Sequence, residues 1–600
     1  MRLLVLVSLS VALAACGHHH TGTDAGACDP MDPSCGSPAN PVIVTCPGCD
    51  PFPAPGAGSP PGCTGQAAAP ELVYPPDQVL LPPNMNVIEV QFLPGAGNAL
   101  FEIDFKNSGT DVRLETRCDP ITNTRGGKTG GCAFQLDPTG WKYVATHNRG
   151  GDPVTVTVRA APTDLSCVVG SNSRQIDFGE VDLLGGMYYW QSTTQDGIAG
   201  KTGGIFRKDF GNPDPTPEPF LTPGNLNKCV GCHFLSHDGL KMTYGSDDAD
   251  SDDEYGDLKV VLYDVTARTA AVTNLPPGFQ TFEAAGHDSF LASDGKGQSN
   301  MPELLHFSGT SGAAMTASTL STLAGAGQRI THPDWSRDGS RIYFTLATPI
   351  TGIQGYNLKD DLHVMNGSIY SATVSGGAVA SPVALVTAAS VDENNFYPAI
   401  SPDGSAVIFD RAVGSTLPTH DSYNNPNAAL FAVPAAGGTP VALARANYKD
   451  GMTNSWPRWS PFVQMYRGQR IVWVTFSSTR DYGLRVANEG APYFNCYPPV
   501  SPEDTSGDHA KVFDPNCTQP QIWMAAVSLD QLTSGSDPSF PAFWLPFQDV
   551  TAHNHIAQWV DQIAPPPTGC QQIGEDCTTT KCCDGGGCDA MTHTCHSIIF

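Results

Sequence analysis

Four phrases of the chain share one frame. His332-Pro333-Asp334-Trp335-Ser336-Arg337-Asp338-Gly339 runs into Ser340 to Phe344, and Tyr397-Pro398-Ala399-Ile400-Ser401-Pro402-Asp403-Gly404 runs into Ser405 to Phe409. Each reads as a strand, a tight turn closed by Asp-Gly, and a second apolar strand. Cys232 to Tyr244 keeps that frame through Ser236, Asp238 and Gly239, and Trp456-Pro457-Arg458-Trp459-Ser460-Pro461 opens a fourth unit whose turn gives way to a longer loop before Ile471 to Phe476. Further strands follow at Val260 to Asp264, Ser368 to Val374, Leu430 to Val433 and Ile522 to Val527, and a weaker unit lies around Phe279 to Ala292. A four-stranded unit recurring about every 45 to 70 residues hides its sheet edges by closing radially, which excludes most other folds.

These phrases resemble the PD40 repeats of TolB-like propellers, and Phe476-Ser477-Ser478-Thr479-Arg480-Asp481-Tyr482-Gly483 is similar to a phrase common there. The resemblance covers roughly residues 173–562 and implies an all-β, six-bladed β-propeller. Its first blade, with Tyr188 to Gln191 and Gly204 to Phe210, is expected to be completed by strands near Phe543 to Trp559, the usual way such a ring is latched.

Six hundred residues exceed one hydrophobic core, so further domains are expected. Over 70–165, Ile88-Val90-Phe92, Phe101-Ile103-Phe105, Val112-Leu114 and Val154-Val156-Val158 alternate as half-buried strands do. With the one Trp141 they suggest a β-sandwich resembling fibronectin type III or immunoglobulin modules, in which Cys118 and Cys132 are placed to staple a hairpin. Residues 569–597 carry Cys570, Cys577, Cys582, Cys583, Cys588 and Cys595, a spacing that resembles the inhibitor cystine knot and marks a disulfide-rich module held by its bridges.

Residues 1–16 give one Arg, an apolar run and Leu13-Ala14-Ala15-Cys16, too short to span a membrane and read as a signal peptide. The last four resemble the lipobox of bacterial lipoproteins, which implies lipidation at Cys16 and, with Gly17 rather than Asp following, an outer-membrane lipoprotein. Residues 17–69 read as a disordered tether rich in Cys, Pro and Gly, whose cysteines close small local loops; its His18 to His20 run is a solvated tail before it is a metal site. Nineteen cysteines suit an oxidising compartment. A net charge of −27 argues against nucleic acid and against adhesion to anionic lipid through basic residues.

Chemistry is written over the third phrase. Cys229, Cys232 and His233 spell C-x-x-C-H, the attachment pattern of c-type haem, with two thioethers and an axial imidazole. The alternatives are a local disulfide and a zinc site. His233 aligns with Pro333 and Pro398, and Cys232 with His332, Tyr397 and Trp456, so these last three are expected to line one channel mouth with it. His332 is therefore the first candidate for the sixth ligand of a haem, followed by Met452, His553 and His555; a turn residue is its plainer reading. Met242 aligns with Ile342 and Val407 and reads as core.

Asp248, Asp250 and Asp252 mimic the first EF-hand positions, but Asp253 stands where that loop needs Gly and Lys259 where it needs Glu, so a solvated loop is favoured over a calcium site. No G-x-S-x-G elbow occurs, which argues against a hydrolase and leaves no enzyme class indicated. Two functions are expected from this sequence. One is a lipid-anchored monomeric propeller with covalent haem c, in electron transfer or redox sensing with an envelope partner. The other is a non-enzymatic scaffold binding envelope proteins or glycans, with Cys229 and Cys232 joined as a disulfide.

Overall fold

The computed structural model describes residues 35–53, 60–65, 67–85, 88–121, 130–135, 138–192, 204–212, 216–222, 228–248, 259–275, 278–283, 287–293, 304–313, 315, 328–349, 364–375, 378–379, 382–413, 425, 427–448, 452–485, 520–550, 552–564, 587–588 and 595–596. The repeated turn folds as its residues dictate. Ser336 Oγ donates to Asp338 Oδ1 at 2.7 Å and accepts from the Arg341 N–H at 2.9 Å, while Asp338 Oδ1 also accepts from the Ser340 N–H at 3.0 Å. Ser236–Asp238 and Ser401–Asp403 repeat the serine-to-aspartate bond at 2.6 and 2.7 Å. Gly239, Gly339 and Gly404 take φ of 73°, 72° and 72°, the left-handed region where only glycine avoids a Cβ penalty.

The turns join inner strands to outer ones in a run of separate sheets. Lys228–Leu235 pairs with Lys241–Asp248, followed outward by Lys259–Asp264 and Thr269–Leu275. The weak unit forms a three-stranded sheet from Gln280–Phe282, Ser289–Ser293 and Leu304–Ser308. Later sheets start from Arg329–Trp335, Glu393–Ile400 and Asn454–Trp459. His553–Val560 runs antiparallel to Gly186–Ser192 and completes the sheet of Gly204–Asp209 and Glu218–Leu221. Strands near Phe543 do not share in this latch, since Phe543–Trp544 pairs with Trp523 and Met524 instead. A series of sheets closed by its last strand is the organisation of a β-propeller.

Ahead of it stand two sheets. One runs Val42–Thr45, Asp111–Thr116, Leu100–Lys106, Val154–Ala161, Arg174–Phe178, Val79–Leu81; the other Glu71–Tyr74, Glu89–Leu93, Cys132–Gln135, Asp119–Pro120. This sandwich departs from the expected all-antiparallel form. Val42–Thr45 pairs parallel to Val112–Glu115, Val79–Leu81 pairs parallel to Ile176–Phe178, and the helix Pro138–His147 carries the buried Trp141 against Phe178 at 5.5 Å. It also exceeds 70–165 at both ends. Part of the expected tether is structured because an edge strand borrows its core from the sheet it joins, and Cys63 is bonded to Cys167 rather than within a local loop. Cys118–Cys132 staples the hairpin as expected, and Cys46–Cys49 is local. In the tail, Gly587–Cys588 pairs with Cys595–His596; the other cysteines of that module and Cys16 lie outside the described residues.

The phrase ending in Tyr482-Gly483 fastens the two parts together. Tyr482 stacks on Trp544 at 4.1 Å and meets Tyr74 edge-on at 5.0 Å, while the Tyr74 hydroxyl accepts from the Trp544 N–H at 3.2 Å. Arg485 pairs with Glu89 at 2.7 Å, and the Leu484 N–H donates to Gln91 Oε1 at 2.7 Å. Gly483 has φ 60° with Gln91 Oε1 only 2.4 Å from where a Cβ would stand, so no larger residue fits there. Tyr482→Ala leaves a cavity under this contact and should cost about 3 kcal/mol or more. In urea melts followed by fluorescence, the variant is expected to show the sandwich unfolding as a separate transition; one unshifted transition would refute the coupling.

Candidate functional site

Each inner strand breaks its alternation at one point. His332, Tyr397, Trp456 and Ile556 have φ of 49°, 48°, 55° and 57°, and pairing slips there: between Thr331 and Asp334, Phe396 and Ala399, Ser455 and Arg458. Lys228–Leu235 slips likewise between Gly231 and Phe234, which puts Cys232 at the equivalent place. Proline tolerates such bulges because its missing N–H is not needed there, which explains Pro333, Pro398 and Pro457.

The bulges turn large side chains onto one axis. The His332 and Tyr397 rings lie 4.1 Å apart, Tyr397 and Trp456 4.5 Å, and Phe279 packs on His332 at 4.2 Å and on Trp456 at 5.5 Å. Phe234 closes the group at 6.1 Å from Trp456. The expected convergence of His332, Tyr397 and Trp456 is present, as a plug filling the axis. Phe279 and Phe234 join it without having been singled out, although the repeat frame places Phe234 two positions after Cys232.

His233 points elsewhere. It is 0% exposed, its imidazole lies by the Tyr188 backbone, and His555 of the closing strand is near enough to feel its charge. Trp190 packs edge-on against His555 at 4.7 Å and donates to the Val230 carbonyl at 2.7 Å. Burial pushes His233 down to about 4 and His555 to about 3, the latter helped by His233, and burial alone takes His553 to about 3. His332 is driven well below its usual value by burial and by Arg458. These imidazoles are therefore neutral at pH 7, the form that binds iron. The ring nitrogens of His233 and His332 make no well-formed hydrogen bond among the described residues. A buried, neutral imidazole with no well-formed hydrogen bond fits the donor that a haem iron needs.

Backbone pairing sets Cys229 opposite Asp247; the Cys229 and Cys232 side chains lie outside the described residues, as do Asp250 and Asp252 and the side chain of Asp248. Met242 is fully buried in its blade, as expected of core. Met452 lies beside the strand Asn454–Trp459, where its carbonyl accepts from Asn454 Nδ2 at 3.3 Å. Among the described residues no three His, Cys, Asp or Glu gather to hold a metal ion.

Beyond the plug, toward the Ser-x-Asp-Gly turns, lies a cavity of about 60 Å³. Its walls draw on the inner strands of six sheets, at Phe234, Gln280, Asp334, Ala399, Arg458 and Gln558 among others. Phe234, Asp334, Ala399, Arg458 and Gln558 each stand two residues after a bulge position, so the repeat frame contained this ring without singling it out. Burial raises Asp334 to about 6 against the pull of Arg458.

Fold and axis together define an all-β, propeller-type protein with a filled channel. No family model and no curated protein matches the chain. Among solved structures, it is similar to a TolB protein from Agrobacterium tumefaciens at 12% identity and TM-score 0.29, covering 63% of this chain and 98% of that one. A structure of prolyl endopeptidases gives 12% and 0.29, covering 60% and 49%, and a GH74 enzyme from Niastella koreensis gives 11% and 0.30, covering 58% and 44%. Likenesses at these scores carry no argument about function.

The buried histidines predict acid lability. Their folded pKa values lie below the unfolded value of 6.5, so the stability they contribute is present above 6.5 and is lost as pH falls toward 4 and 3. Asp334, raised to about 6, Glu102, raised to about 7, and Asp104 act in the opposite sense, three carboxyls against six histidines lowered by burial among the described residues. The melting temperature of haem-free protein should fall steeply below pH 6.5, and His555→Phe should lower the slope by about one proton. An identical slope in the variant would show that His555 is not held neutral by the fold.

Proposed function

We propose that the chain is a six-bladed propeller carrying one covalent haem c, working in electron transfer or redox sensing at the cell envelope. Cys229 and Cys232 would hold the haem by thioethers and His233 would bind its iron through the imidazole. The observation that supports this most is the coincidence of the C-x-x-C-H motif with neutral, buried histidines on adjoining inner strands, His233 beside His555. When bound, haem supplies reversible one-electron chemistry. The chain's own residues keep their imidazoles unprotonated, and the plug of Phe279, His332, Tyr397 and Trp456 shuts water out of the axis. His332, the first candidate from the sequence for the sixth ligand, packs between Tyr397 and Phe279 in the plug while His233 turns away from it, so His555, next to His233, takes its place as the preferred candidate. In this reading the protein is an exported monomer, anchored through lipid on Cys16 to the outer membrane, and its partner is an envelope redox protein.

Protein made with cytochrome c maturation machinery should give a haem-stained band on a denaturing gel, since thioethers survive denaturation. Cys229→Ser with Cys232→Ser should abolish the stain; a colourless wild-type band at full mass would sink the proposal. Magnetic circular dichroism of His555→Ala should show low-spin iron becoming high-spin, and an unchanged spectrum would pass the role to His332, His553 or Met452.

A second reading, a scaffold for envelope proteins or glycans with Cys229 and Cys232 as a disulfide, draws on the filled channel, which leaves a rigid ring. It requires the double serine variant to keep its partners in pull-downs while losing only stability.

A further inference from the structure

The cavity beyond the plug contains a cation that makes no direct ion pair, although the carboxylates of Asp334 and Asp410 lie near enough to act on it. Arg458 is 9% exposed, and its one hydrogen bond among the described residues runs from Nη1 to the Pro457 carbonyl at 3.1 Å. Its guanidinium lies 5.8 Å from the Trp456 ring centre, and no carboxylate among the described residues comes within ion-pair distance of it. The neighbouring cation, Arg337, is already paired with Asp561 at 2.7 Å. A guanidinium taken out of water without a paired anion costs several kcal/mol, and natural cores meet that cost with a counter-charge.

Two more groups in the same walls want an acceptor. Gln558 Nε2 and Ser460 Oγ are buried without a hydrogen-bond partner among the described residues. Gln558 is 8% exposed and Ser460 2%. These three donors come from two neighbouring inner-strand segments, and the rest of the wall mixes Trp459, Trp559 and Phe282 with polar groups of Gln280, Thr281 and Asp334. At about 60 Å³ the space takes a few waters or a short organic acid, and nothing larger.

We propose that this cavity is a binding site for one small monocarboxylate, such as acetate or propionate, whose carboxylate is held by Arg458, Gln558 and Ser460. A planar guanidinium matches a carboxylate through two parallel N–H···O bonds. Asp334 lines the same cavity, with its carboxyl accepting the Ile400 N–H at 2.8 Å, so a doubly charged anion such as sulfate or hydrogen phosphate meets about twice the repulsion that a single charge does. The short apolar tail of the acid lies against the indole rings. The site is reached past His237, Arg337 and Pro402 in the turns, so it is separated by the plug from the end of the channel where Cys229 lies. It does not depend on haem.

The test uses the full chain and ¹³C-labelled acetate and propionate, with titration followed by NMR line broadening and calorimetry. Saturable binding at one site is expected, with chloride and sulfate at matched ionic strength failing to compete. Arg458→Gln should abolish binding, and Ser460→Ala and Gln558→Leu should each weaken it about tenfold, as loss of one hydrogen bond to a charged group does. If Arg458→Gln does not fold, the two wall variants carry the test. Absence of saturable acetate binding, unchanged affinity in both wall variants, or equal competition by chloride and sulfate would each overturn the proposal, leaving a water-filled bridge between Arg458 and Asp334.

Discussion

The structure depends on how the axis of the ring is filled. Inner strands that converge on one line must present side chains there without leaving a void, and regular alternation cannot supply both the angle and the bulk. The chain resolves this by forcing His332, Tyr397, Trp456 and Ile556 into the left-handed region. For residues with a Cβ this costs about 1–2 kcal/mol each. The return is the mutual burial of Tyr397, Trp456 and Phe279, where aromatic pairs contribute about 0.5–1.5 kcal/mol beyond the area they remove from water. The same bulges fix what lies beyond the plug, where Phe234, Asp334, Ala399, Arg458 and Gln558 form the ring around the cavity.

Much of this was legible because it is local. Ser-x-Asp-Gly specifies its turn through bonds within six residues, and once those turns are aligned the positions of His332, Tyr397 and Trp456 follow. The latch also announced itself, since a leading strand such as Gly186–Ser192 lacks an inner neighbour until His553–Val560 arrives. What escaped detection is non-local. Nothing in the composition of Val42–Thr45 says that it joins the far sheet beside Asp111–Thr116, and Cys63 gives no sign that its partner is 104 residues away. The helix over Pro138–His147 hid because its large anchors, Trp141 and Tyr143, also suit a sandwich strand. Arg458 was visible only as one letter of a repeat, and its burial without a direct ion pair is a fact of three dimensions.

The sandwich is not a bead on a string. Its contacts with the propeller include the Tyr482 phrase against Tyr74 and Glu89, the hairpin around Arg467, where Tyr466 donates to Asp177 at 3.0 Å and Arg467 pairs with the same carboxylate at 2.8 Å, and Asn84, which donates to the Phe210 carbonyl at 2.9 Å. Separated attachment points resist both hinge and twist. One hydrophobic cluster accordingly runs from Val79 and Phe101 through Tyr482 to Trp544.

The latch has a consequence for how such a chain comes into being. Gly186–Ser192 is made early and its inner partner, His553–Val560, last among the ring strands, some 360 residues later by their numbering. Throughout synthesis, and throughout any passage across a membrane with the N-terminus leading, the first blade presents a bare hydrogen-bonding edge. The ring thus cannot shut around its axis prematurely: emergence of the closing strand acts as a timer, and whatever is to be enclosed near His233 must be in place before His555 arrives.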